Sequence, residues 1–296
     1  MNRREYMVIL MLILICIAIA MFRLMVGSHG FGFSDNHQVM DLRFNRVAVG
    51  GVVGASLGLA GAFLQSLLRN PLASPDLMGL SAGAGFAVTL TTWINGAAIG
   101  ASMAAVPALA GAIVVLALVW VLSQRRGMIE PVMMILIGVI ISVILGAATM
   151  LVASMMTDKG YSISRWMMGG VREDIENPVA WISTGVGVHV GIVRLGQLLG
   201  AGALTAMSIV LAGPIGFVGL VCPHIVRVLA GPSHRTLVIG SALCGFALVV
   251  GADTFVRLVA TCRTHPNRSG HFTGWGTGVF GHVIASTPGA LTRFMR

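Results

Sequence analysis

Apolar runs of about 20 residues, separated by short stretches that collect the charge, constrain this chain more than any other feature. A run of that length crosses the roughly 30 Å hydrocarbon core of a bilayer as a helix. Only 10% of the residues are charged and 56% are apolar, against roughly 25% charged in a soluble domain. A soluble core made from 296 residues cannot absorb that much apolar surface, whereas lipid can. The expected fold is therefore all-α, a polytopic transmembrane helical bundle. The 39 glycines and 18 methionines suit it, because small residues let membrane helices approach closely. The net charge of +9 comes from basic residues scattered through short loops, with no run and no aromatic interleaving. It reads as a topology determinant, and no nucleic-acid partner is expected. The four cysteines show no CxxC spacing, so no metal, disulfide framework or cofactor is expected either.

The first span covers about residues 5–24 behind Arg3 and Arg4. It is too long for a signal peptide and lacks a small-residue cleavage site, so it reads as a retained helix with its N-terminus in the cytoplasm. Further spans are expected at about 47–68, 77–93, 98–122 and 132–156, with Arg69, Arg125 and Arg126 on the cytoplasmic side. Apolar stretches follow at 190–211 and 214–230, divided by Gly213-Pro214, and another at 236–256. This topology needs one more crossing between Pro178 and Arg194. Residues 179–190 supply only 12 residues, about 18 Å of helix. The sixth span is short.

Three segments are more particular than generic membrane sequence. They are RFNRVAVGGVVGASLGLAGAFLQSLLRNPLASPDLMGLSAGAGF (43–86), LIGVIISVILGAATML (136–151) with SRWMMGG (164–170), and AGPIGFVGLVCPHIVRVLAGPSHR (212–235) followed by GADTFVR (251–257). Together they resemble the FecCD-type permease subunits of ABC importers that take up iron-siderophores, haem and cobalamin. The resemblance implies a bacterial inner-membrane subunit that forms a translocation path with a second permease subunit, as a homo- or heterodimer. It also implies two cytoplasmic ATPase subunits and an external solute-binding protein. The chain has no GxxxxGK[ST] phosphate loop, so ATP hydrolysis is assigned to a separate subunit and the chain is expected to be no enzyme.

Arg43 and Arg46 share one helix face at the outer end of the second span, where snorkelling anchors are the plain reading. The resemblance instead implies that Arg43, Arg46 and Arg257 dock the binding protein through its glutamates. Asn70 and Leu72 sit in a turn that Pro71 enforces; the resemblance places them in the cytoplasmic gate. Gly50, Gly54, Gly58 and Gly61 recur along one helix side, as close helix packing requires. His224 and Asp253 read as satisfied structural groups rather than proton carriers, which leaves an ion-coupled transporter as a weaker alternative. A scaffold subunit that docks partners without conducting is another.

Two departures from the pattern stand out. The chain passes from PVAWIS (178–183) directly to TGVGVHVGIVRLG (184–196), so about one helix and part of the loop that couples to the ATPase are missing near 182–185. After Ala260 the polar sequence TCRTHPNRSGHFTGWGTGVFGH replaces the apolar last helix of the family. Reading the codons one base later permits Pro, Gly and Phe at that helix's spacing, so residues 261–296 read as a frameshifted tail behind a permease domain of residues 1–260. Such a chain encodes about eight full spans, where the resemblance implies ten.

Overall fold

Each apolar run condenses into a helix, because a helix satisfies its own backbone N–H and C=O groups and needs no water to do so. The computed structural model describes residues 2–27, 30–32, 36–95, 101–125, 128–156, 194–231 and 233–263. Among them lie eight helices: α1 (Arg3–Met25), α2 (His37–Leu68), α3 (Leu80–Asn95), α4 (Ala101–Leu122), α5 (Pro131–Ser154), α6 (Arg194–Ala212), α7 (Val218–Ala230) and α8 (His234–Arg263). A two-residue antiparallel ribbon, β1 (Val26–Gly27) with β2 (Gly30–Phe31), follows α1. A second, β3 (Gln124–Arg125) with β4 (Met128–Ile129), follows α4.

Five of the helices, α1, α2, α4, α5 and α8, are long and apolar enough to cross a membrane. The chain is a multi-pass membrane protein. About eight full spans were expected; eight helices are described, of which these five have the length and apolarity of a crossing. α7 has 13 residues, about 20 Å, and is too short to span the core alone. α8 runs to Arg263, three residues past the expected end of the bundle. The shortened sixth span near 182–185 and the tail from residue 264 lie outside the described residues.

α2 is the hub. It packs against α8, α6, α7 and α1, while α3 packs against α4, α5 and α6. Large apolar side chains lie exposed along α1, α4 and α5, the surfaces a bilayer covers. We call the end holding the amino terminus of α1 proximal and the opposite end distal. Gly54 of α2 lies against Gly245 of α8, and Gly58 against Ser241, so the two helices are antiparallel. Gly202 lies beside Leu80 and Leu116, and Ala206, Ile209 and Val210 share a buried cluster with Val88 and Ala104. α6 therefore starts proximally and runs distally, as α5 does.

The α2–α8 contact is backbone on backbone. A Cβ on Gly54 would overlap the carbonyl oxygen of Gly245, one on Gly245 would overlap that of Gly54, and one on Gly58 would overlap that of Ser241. A Cβ on Gly61 would overlap the carbonyl oxygen of Gly219 at the start of α7. Gly50 is buried on the same helix. Gly54→Ala is therefore expected to push α2 off α8 and destabilise the bundle by about 1–3 kcal/mol. Thermal unfolding of the detergent-purified chain reads this, and an unchanged midpoint would contradict the contact.

Candidate functional site

The distal end is organised by one carboxylate. Asp253, on α8, sits opposite Arg46 of α2 and Arg23 in the last turn of α1. Arg46 clamps it with Nε at 3.0 Å from both carboxylate oxygens and Nη2 at 2.8 Å from Oδ1. Arg23 Nε donates to Oδ2 at 2.9 Å and its Nη1 to the Val26 carbonyl at 3.3 Å, the latter where a cation also suits the negative end of the helix dipole. The Arg23 side chain is 1% exposed, Asp253 13% and Arg46 18%. Nη2 of Arg23 has no hydrogen-bond partner among the described residues. Arg43 donates through Nη1 to the carbonyls of Leu24 (2.8 Å) and Gly32 (2.9 Å), which ties the α1–α2 connection down. Arg257 is one turn beyond Asp253 and half-buried.

The cluster thus gathers Arg43, Arg46 and Arg257 at one end of the molecule. Among the described residues, these three arginines and Arg23 outnumber the two carboxylates at this end, Asp253 and Asp41, so the local charge is positive. Arg46 meets Asp253 along its Nε–Nη2 edge, which orients the guanidinium. Asp253 acts here as a counter-ion. His224 lies on the exposed side of α7.

The proximal end holds Asn70 and Leu72. α2 ends at Arg69, a left-handed cap with φ 47°, and the chain turns at once. Leu72 N–H donates to Asn70 Oδ1 at 2.9 Å, a local turn in which the asparagine side chain replaces a backbone acceptor. Leu72 is 61% exposed. Beyond it the loop folds back into the bundle, burying Ala73, Ser74 and Met78.

Asp76 ends that inward stretch. Its carboxylate accepts the Ser81 hydroxyl of α3 and, at 3.2 Å, the Phe217 N–H immediately before α7. Its carbonyl accepts Ser142 Oγ of α5 at 3.3 Å. The stretches NPLASPD and GPIGFVGL, far apart in sequence, therefore meet at one side chain. Burial pushes the Asp76 carboxyl above the ordinary carboxylate range, and the hydrogen bonds from Ser81 and Phe217 pull part of the way back.

Phe217 has φ 66° and ψ −20°. A bulky residue there is a genuine outlier, costing on the order of 1–3 kcal/mol. Its ring is 74% exposed. The other end of α7 is pinned. Near that end Arg227 Nη2 donates to Gln65 Oε1 at 3.2 Å, while Gln65 Nε2 reaches the first turn of α7 and donates to the Leu220 carbonyl at 3.3 Å. Arg4 Nε donates to the Leu229 carbonyl at 2.9 Å.

Arg23, Asp76 and Phe217 were not singled out from sequence. The signal for Arg23 was available: a lone arginine inside an apolar run requires a carboxylate, and Asp253 is one of few in apolar sequence. Asp76 had no such signal, because an aspartate between a proline and a helix reads as an ordinary turn.

The FecCD transport family matches residues 6–184 and 180–267 of this chain. A cobalamin import permease of Halobacterium salinarum is 33% identical over 264 aligned positions, covering 78% of this chain and 70% of the relative. An Fe(3+)-citrate import permease of Bacillus subtilis is 32% identical, covering 77% and 76%. A ferric enterobactin permease of Escherichia coli is 33% identical, covering 73% and 72%. Among solved structures, a metal-chelate type ABC transporter in an inward-facing conformation superposes with a TM-score of 0.71 at 25% identity, covering 86% of this chain and 91% of that one.

Two outcomes follow from the geometry. Asp253→Ala leaves Arg23 buried without a counter-ion and is expected to cost about 3–5 kcal/mol in chemical unfolding; a loss below about 1 kcal/mol would mean the pair is solvated. The raised carboxyl of Asp76 makes protonation favour the fold, so its contribution is full below the ordinary value of 3.8 and lost as pH rises through its folded value. Asp76→Asn removes that dependence. Its unfolding midpoint relative to the parent should therefore rise as pH goes from acid to neutral, and a flat difference would contradict the burial.

Proposed function

As a member of the FecCD transport family, this chain is a membrane permease subunit of an ABC importer, and we propose that its substrate is an iron-siderophore or a related metal chelate, cobalamin included. The proposal follows the roles of its relatives, permeases for cobalamin, ferric citrate and ferric enterobactin. The proximal end is cytoplasmic in this reading, supported by the short-loop arginines Arg3, Arg4, Arg69 and Arg235 that gather there. The membrane is the bacterial inner membrane.

The observation that carries the assignment of faces is the distal arginine cluster. An external solute-binding protein presents carboxylates to Arg43, Arg46 and Arg257, and the net positive charge steers its approach. Asp253 holds the Nε–Nη2 edge of Arg46 and so fixes the orientation of that guanidinium at the docking face. Asn70 and Leu72, on the opposite face, belong to the cytoplasmic gate. Two ATPase subunits dock on that face, and a second permease subunit completes the path.

A second reading has its own support. The two family matches meet at residues 180–184 and the second stops at 267. The Halobacterium alignment spans 264 positions but uses 78% of 296 residues, about 231, so about 33 positions have no residue here. That is the length of one helix and a connecting loop, and it supports a copy that lacks the sixth span and carries a shifted tail, docking partners without transport. DNA whose +1 frame encodes no apolar helix after codon 260 would sink the shifted-tail part.

Reconstitution with the ATPase and the binding protein separates the two readings. ATP-dependent uptake of the ferric chelate supports the importer, and docking without uptake supports the damaged copy. Arg43→Glu with Arg257→Glu is expected to weaken docking about tenfold or more, with the affinity of the parent falling as salt is raised. Unchanged docking would remove these arginines from the interface.

A further inference from the structure

We propose that Asp76 is a positioning residue for the translocation gate, a latch that makes the loop carrying Asn70 and Leu72 and the start of α7 move as one piece. This rests on the reading of those two residues as the gate.

The loop at 70–79 is held at three places. Ser81 ties it to α3, and Ser142 ties it to α5. The third attachment is to α7, where Asp76 Oδ2 accepts the Phe217 N–H and the Pro75 ring lies against Gly219, 2.9 Å from where its Cβ would be. Ser81 lies in the first turn of α3 and Ser142 in the interior of α5, both within regular helix. The third is different, because it lies across a break. α6 ends at Ala212, Gly213 follows with φ 70°, Pro214 bars continuation, and Phe217 is held at φ 66° before α7 begins.

A phenylalanine in the left-handed region persists only when its surroundings over-determine it. The one side-chain hydrogen bond on its backbone among the described residues comes from Asp76. Release of that bond frees Phe217 to return to an ordinary backbone conformation and re-aims the first turn of α7. The far end of α7 stays put, because Arg4 grips the Leu229 carbonyl and Arg227 is bonded to Gln65. α7 is thus held at its C-terminal end by Arg4 and Arg227, while its first turn, which Gln65 ties to α2 through the Leu220 carbonyl, meets the gate loop at Pro75 and Asp76. Few-residue breaks that absorb a backbone change of this kind are the usual hinges of conformational switching.

A turn-capping aspartate with no further role would leave α7 indifferent to residue 217. A latch predicts that the two positions, 141 residues apart, compensate for one another. Glycine adopts φ 66° without strain, so Phe217→Gly removes the need for the latch. Asparagine keeps it, since its amide oxygen accepts the Phe217 N–H and its NH2 group donates to Ser81.

The test uses the full chain carrying Leu72→Cys in inside-out membrane vesicles, labelled with a membrane-impermeant maleimide over the background of the chain without that cysteine. Asp76→Ala is expected to raise the labelling rate about threefold or more, Asp76→Asn to leave it near the parent, and Phe217→Gly added to Asp76→Ala to restore the slow rate. Ser81→Ala, a milder variant should Asp76→Ala fail to fold, is expected to give a smaller rise. An unchanged rate in both overturns the latch, as does a rise that Phe217→Gly leaves in place. The gate reading fails separately. It falls if labelling of Leu72→Cys in the parent importer, assembled with its ATPase, is the same with and without ATP.

Discussion

The direct contact between the backbones of α2 and α8 is the constraint on which the rest of the molecule depends. In lipid, helices gain little from burying apolar side chains against one another, so close van der Waals approach must hold them. Gly54 and Gly245 provide it by leaving no Cβ between two carbonyls, and Gly58 repeats the contact one turn on against Ser241. That contact fixes the register. Eight residues back along α2 and eight forward along α8, it brings Arg46 opposite Asp253. Towards the other end it brings Ser66 to 3.5 Å from His234. The ionic cluster is therefore a result of glycine spacing as much as of charge.

A second chain of close contacts starts from the same helix. Gly61 receives the carbonyl of Gly219, Gly219 receives the Pro75 ring, and Asp76 receives the Phe217 N–H. Small residues again bring backbones together, and a polar side chain then uses the proximity. The difference is strain. At the distal end a bidentate ion pair joins continuous helices, whereas the loop after α2 meets a half-length helix at an outlying phenylalanine, through the Asp76 hydrogen bond and the Pro75–Gly219 contact. On the proposed gate reading, the distal end stays fixed and the proximal end holds the parts that move.

Much of this was legible in the sequence. Run length gave α1, α2, α4, α5 and α8, because a helix that must cross about 30 Å of hydrocarbon leaves an unmistakable stretch of apolar residues. The Gly213-Pro214 break separated α6 from α7. The short length of α7 was not legible, since Pro214 to Phe217 are as apolar as a helix and only the backbone shows that they are outside it. Arg43, Arg46 and Arg257 could be placed at one end by counting crossings. That Asp253 clamps Arg46 depends on the α2–α8 register, which composition does not encode. Asp76 escaped for the same reason: its partner is 141 residues away, and nothing local marks it.

The Arg23–Asp253 pair has a consequence for how the chain is made. Arg23 leaves the ribosome at the end of the first span, and its counter-ion follows 230 residues later. At synthesis rates of about 5–20 residues per second, the delay is roughly 10–50 s. During that interval the guanidinium has no carboxylate and must reach up to the headgroups on its long stem. α1 therefore sits shallow in the membrane until α8 arrives. Its descent to a fully buried position is a late event of assembly, timed by the arrival of Asp253.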